Sequence, residues 1–117
     1  MNLQVEMRRH RDTLIVRLVG ELDHHTADEV RLSLDEEIAK GTCRHLLLSL
    51  ESLQFMDSSG IGVILGRYKL IKQKGGRMVV CGVNPPVHRL FDMSGLFKIM
   101  SVHEDESQAL SELGVAL

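Results

Sequence analysis

The segment Phe55-Met56-Asp57-Ser58-Ser59-Gly60-Ile61-Gly62 decides the fold. An apolar lead-in ends there at an acid, two hydroxyls and a glycine, and a helical pattern begins. From Ile61 onward the apolar residues Ile61, Ile64, Leu65, Tyr68 and Ile71 recur at the spacing of one helix face, while Arg67, Lys69 and Lys74 lie off it. The spacing predicts a helix over about residues 58–74. Asp57 or Ser58 is expected at its N-cap, where a side-chain oxygen accepts from the unpaired N–H groups of the first turn. Gly75-Gly76 is expected at its end, since glycine adopts the left-handed conformation that stops a helix.

On a wheel at about 100° per residue, this helix shows a second surface carrying Ser58, Ser59, Gly62, Val63, Gly66 and Leu70. Two glycines inside a helix each cost up to ~1 kcal/mol relative to alanine. Something must therefore come close to that backbone, either the chain's own sheet or a partner.

Outward from this turn, the pattern alternates between strand and helix. A weakly alternating stretch at 3–7 and a β-branched run at 13–20, joined by charged residues, form an antiparallel pair. Thr26 and Glu29 have the spacing of a capping box ahead of Val30, Leu34 and Ile38, so a helix is expected over 26–40. Leu46-Leu47-Leu48-Ser49-Leu50 and Met78-Val79-Val80-Cys81-Gly82 are short apolar runs of the kind found in strands covered on both faces. After Asn84-Pro85-Pro86 a short helix carries Val87, Leu90 and Phe91, and Ser94-Gly95 ends it. Residues 97–102 read as a final, mostly edge strand, followed by a helix burying Ala109, Leu110 and Leu113. The expected class is α/β, a single domain over 1–117. Its mixed, mostly parallel sheet has about 4–5 strands, the N-terminal pair antiparallel, with about 4 helices.

The chain of 117 residues is long enough for a real core, and 44% hydrophobic with 26% charged is an ordinary globular balance. A net charge of −2 gives no basic footprint for nucleic acid, and no apolar run approaches the ~18 residues that span a bilayer. A cytoplasmic protein without nucleic-acid or membrane partners is expected. Cys43 and Cys81 match no disulfide or zinc spacing, and His24-His25 beside Asp23 lacks a third ligand, so no metal or other cofactor is expected.

Two enzymatic or ligand-binding readings compete. Ser58 followed by Asp92 and His103 has the order of an α/β-hydrolase triad, but Met56 stands where the nucleophile turn needs glycine, so no catalytic residue is assigned. Gly60, Gly62 and Gly66 at a helix start could face a phosphate, but no Lys-Ser/Thr follows and no acid ends the strand at 78–82.

Asp57-Ser58-Ser59-Gly60-Ile61-Gly62, Gly20-Glu21-Leu22-Asp23 and Leu90-Phe91-Asp92-Met93-Ser94-Gly95-Leu96 together resemble the STAS domain family over essentially the whole chain. More narrowly, residues 20–27, 55–69 and 89–99 resemble its sporulation anti-sigma factor antagonists. The resemblance implies a STAS-like domain whose unmodified form binds an anti-sigma factor that is also an ATP-dependent serine kinase. That binding would release a sporulation sigma factor. The resemblance also implies that Ser58 is the phosphorylated residue, that a separate serine phosphatase acts on it, and that the Asp23 loop lies beside the Ser58 turn. Asp23, Asp57, Ser58, Ser59, Gly62, Val63, Gly66 and Leu70 are accordingly the expected partner-binding residues.

Overall fold

A computed structural model describes residues 2–114, so the outermost ends of the expected 1–117 span lie outside the described residues. The chain opens with β1 (Leu3–His10) and β2 (Thr13–Leu22), paired antiparallel in continuous register from Leu3 opposite Gly20 to His10 opposite Thr13. It continues through α1 (Ala27–Ala39), β3 (His45–Ser49), β4 (Leu53–Met56), α2 (Ser58–Gln73), β5 (Met78–Cys81), α3 (Pro85–Ser94), α4 (Leu96–Ile99), β6 (Ser101–His103) and α5 (Glu106–Glu112). All strand pairings after the first are parallel, in the order β1-β2-β3-β5-β6. The expected class holds, with six strands and five helices among the described residues.

Strand β2 is the spine of the sheet. Its first half, Thr13 to Arg17, pairs with β3, and its last residues, Gly20 to Leu22, pair with β4 after a register shift. The expected strand at 13–20 thus extends two residues further, and the stretch leading into the Ser58 turn is itself a strand. Four residues with Gln54 and Phe55 exposed between buried Leu53 and Met56 present neither clean alternation nor a continuous apolar run. Only the long-range pairing with β2 makes β4 a strand.

One face of the sheet, through Leu14, Val16, Leu18, Leu46, Leu48, Met78 and Val80, packs under α1, α2 and α3. The opposite face, through Ile15, Leu47, Val79 and Cys81, is covered by Ala109, Leu110 and Leu113 of α5. Arg17 fixes the start of α5, donating to Glu106 from Nε at 2.6 Å and from Nη2 at 2.8 Å. At its other end Glu112 takes Arg77 Nη2 at 3.0 Å and lies 2.7 Å from His103 Nε2.

Three further local expectations are corrected. Thr26 precedes α1 but makes no side-chain cap; its hydroxyl instead donates to Glu21 O at 2.9 Å and accepts from Asp23 N at 3.0 Å. The loop before the helix outcompetes the capping box for that oxygen. Residues 97–102 are not one strand: Gly95, at φ +77°, ends α3 and lets the chain re-enter helix at once as α4. Only Ser101–His103 then reach the sheet. Finally, Arg67 is buried rather than off the packed face. Its Nε lies 3.0 Å from Asp35 Oδ1 of α1, an ion pair between two helices that are distant in sequence.

Candidate functional site

The candidate site is the junction of β4 and α2, with the loop between β2 and α1 laid against it. Asp57 resolves the choice of cap. Its backbone is extended, and its Oδ1 accepts from Ser59 N at 2.9 Å, satisfying one of the first-turn N–H groups. Ser58 takes no part in capping; it is the first helical residue and is exposed. Asp57 N donates to Leu22 O at 3.2 Å, which ties the cap to the end of β2.

The far end of α2 closes as expected. Gly75, at φ +82°, donates to Lys72 O at 3.0 Å, and Gly76 donates to Ile71 O at 2.9 Å, the paired bonds of a Schellman motif. Gly76 is fixed by space as well, because a Cβ there would collide with the carbonyl of Arg44.

The Asp23 loop does lie beside the turn. His24 N donates to Asp57 Oδ2 at 3.2 Å, and His24 Nδ1 lies 3.6 Å from the same oxygen. Asp23 itself is turned inward and only 1% exposed. Its Oδ1 accepts from His25 N at 2.9 Å and Thr26 N at 3.2 Å. Burial pushes this carboxyl up, but the two backbone N–H groups, together with the nearby His25 side chain and the Thr26 hydroxyl, outweigh it and hold Asp23 below the usual aspartate range. As a contact residue Asp23 is therefore corrected: its carboxylate shapes the loop and is not on the surface.

Along α2 the two expected surfaces need redrawing. The buried residues are Gly60, Val63, Ile64, Arg67 and Ile71. Val63, expected on the open side, is 7% exposed and packs in the main core; this is a correction. Leu70 is half-buried against that core. Gly62 and Gly66 remain on the open side. A Cβ added at either would meet nothing within 4 Å, so the sheet does not explain these glycines. Gly60 is the opposite case, since a Cβ there would press into Met56 and lie 3.0 Å from Leu22 Cδ2. Ser59 is half-buried behind the cap.

Two residues beside the site are absent from the expected partner-binding set. Phe55, two positions before the cap, is a large apolar side chain left 45% exposed. His24 appeared only as a poor metal candidate, and among the described residues no group of three potential metal ligands occurs. The hydrolase order is not brought together: His103 ends β6, at the sheet edge beyond β5, and its Nε2 is engaged by Glu112.

The arrangement combines an exposed serine at a helix start, an acid beside it, a bare strip of helix backbone and an exposed aromatic. The chain belongs to the STAS domain family, whose model matches residues 4–109. Among its relatives, the anti-sigma F factor antagonist of Paenibacillus polymyxa is 69% identical over 115 residues, covering 98% of each chain. That of Lysinibacillus sphaericus is 37% identical over 113 residues, covering 97% of this chain and 95% of its own. The fold is similar to the anti-sigma factor antagonist SpoIIAA in its unphosphorylated form, with a TM-score of 0.81 at 33% identity, covering 99% of this chain and 100% of that one. Bacillus SpoIIAA in its phosphorylated form superposes with a TM-score of 0.73 at 33% identity, over 95% and 98% of the two chains.

Proposed function

We propose that the chain is a phosphorylation-switched antagonist of an anti-sigma factor. Unmodified, it binds the anti-sigma factor through the start of α2 and so releases a sporulation sigma factor for transcription. Phosphorylated on Ser58, it no longer binds. The partner is itself an ATP-dependent serine kinase, and a separate serine phosphatase resets the switch. The chain acts in the cytoplasm, performs no catalysis of its own and needs no cofactor. Among the described residues no helix is long and apolar enough to cross a membrane, which fits that setting.

The observation that carries this reading is the division of labour at the turn. Asp57 alone caps α2, so Ser58 is exposed and free for modification, and the backbone at Gly62 and Gly66 beyond it is open to a partner. The named relatives are anti-sigma factor antagonists, and the solved neighbours include both phosphorylation states. Gly62, Gly66 and half-buried Leu70 form the docking strip, with Ser58, Ser59 and Asp57 at its head.

A phosphate on Ser58 adds about −1.5 to −2 charge at a helix N-terminus, where the dipole favours it by ~0.3–1 kcal/mol. The isolated fold is kept. In the complex the same charge is buried beside Asp57, so desolvation and like-charge repulsion together weaken binding by about a hundredfold or more. Incubation with labelled ATP, with and without the anti-sigma factor, followed by affinity measurement on the modified and unmodified chains, tests this. Label on a serine other than Ser58, or an affinity change below about tenfold, would sink the reading.

A further inference from the structure

We propose that the imidazole of His24 is the counter-ion of the phosphate on Ser58, moving from Asp57 Oδ2 onto the phosphate oxygens when the serine is modified. This rests on the reading of Ser58 as the phosphorylated residue. A cationic side chain would add to what the helix N-terminus gives a dianion here, and α2 supplies none nearby: residues 58–66 contain no Lys or Arg. Its first basic residue, Arg67, is buried against Asp35.

The Asp23 loop is built to supply one. Asp23 holds the backbone N–H groups of His25 and Thr26 on its buried carboxylate, and Asp57 holds that of His24. The loop is thereby pinned at three consecutive residues, with the His24 side chain still 67% exposed. Facing that ring are Asp57 Oδ2, 3.6 Å from Nδ1, and the His25 ring, tilted by 40° at 3.9 Å between centroids. A protonated imidazole is a cation with two N–H donors, and a phosphoserine offers three strong acceptor oxygens. His24 thus sits beside one carboxylate oxygen in the unmodified form and meets a stronger, doubly charged acceptor one residue further along in the modified form.

The test uses the full chain with phosphoserine placed at position 58 during synthesis, so that no kinase is needed. Phosphorus NMR follows the phosphate through its second protonation in the wild type and in His24→Gln, His24→Arg and His25→Gln. The wild-type midpoint is expected about half a unit below that of His24→Gln, roughly a threefold change in proton affinity. His24→Arg should restore the low value, and His25→Gln should shift it less. Circular dichroism confirms that the variants are folded, as expected for so exposed a side chain. Coincident midpoints for wild type and His24→Gln, or failure of arginine to restore the shift, overturn the proposal. A kinase that modified a different serine would sink the proposed function but would leave this measurement standing.

Discussion

The three glycines at the start of α2 should respond to alanine in opposite ways. Gly62 and Gly66 lie inside a sixteen-residue helix, and a Cβ at either meets open space. Alanine there costs no packing and recovers the propensity difference of ~1 kcal/mol each, so the double variant should gain ~2 kcal/mol. For a chain of this size that is a rise of roughly 5–10 °C in melting temperature. Gly60 differs because its Cβ would have to displace Met56 from a packed position against Leu22. Overpacking of this kind costs ~1–3 kcal/mol, which exceeds the propensity gain, so Gly60→Ala should destabilise by up to ~2 kcal/mol. The chain has no Trp, so urea unfolding followed by far-ultraviolet circular dichroism is the suitable assay. The functional arm uses Gly62→Leu, which should fold at least as well as wild type yet bind the anti-sigma factor at least about tenfold more weakly, because its side chain fills the approach. Loss of stability in Gly62→Ala would refute the open-strip reasoning. So would a Gly62→Leu binding defect that merely tracks unfolding.

Other perturbations separate cap, titration and thiol. Asp57→Ala removes both the α2 cap and the acceptor of His24 N, and should cost ~1–2 kcal/mol; Ser58→Ala should cost under ~0.5 kcal/mol and abolish labelling, as read by thermal melts and mass spectrometry. His45 accepts from Arg77 N on Nδ1 at 3.0 Å, and burial, opposed by Asp12, holds its pKa below 6.5. The unfolded chain therefore takes the proton first, and stability complete above about 6.5 should be lost as pH falls from there through the depressed folded value. Urea midpoints between pH 7 and 5.5 should slope less in His45→Asn, which keeps an acceptor at the Nδ1 position; an unchanged slope would remove His45 from the explanation. Cys81 lies under α5, and burial pushes its thiol up to about 11, so a thiol reagent at pH 8 should modify Cys43 in the native state and Cys81 only after unfolding. Equal labelling rates would contradict that placement.

Features decided by neighbours in the chain were legible in the sequence. Asp57 and Gly75-Gly76 bound α2 because capping and left-handed termination are local chemistry, and the apolar runs at β3 and β5 need only their own residues to read as covered strands. Features decided at a distance were not. The burial of Arg67 depends on Asp35, and the burial of Val63 depends on how α2 lies across the sheet, which rotates its packed face from the one that spacing alone picks out. Thr26 shows local competition instead: the Asp23 N–H occupies the hydroxyl oxygen that the Thr26–Glu29 spacing would assign to the helix. In the site, the exposed serine and the two open glycines were readable, whereas the Asp57–His24 contact bridges 33 positions and needed the folded loop.

The doubly fixed length of α2 constrains how this family can vary. Asp57 is tied to Leu22 at one end, and Gly76 is wedged against the Arg44 carbonyl at the other, so the sixteen residues between act as a rod of about 24 Å with both ends welded. Inserting or deleting one residue inside that rod would turn everything on one side of the change by about 100° relative to the other. Ser58 would then leave the line of Gly62 and Gly66, or Ile64 and Ile71 would leave the core. Lineages that keep the mechanism should therefore differ freely in the loops around α2 while conserving its residue count, and a single-residue indel there should separate folding from signalling more sharply than any point substitution.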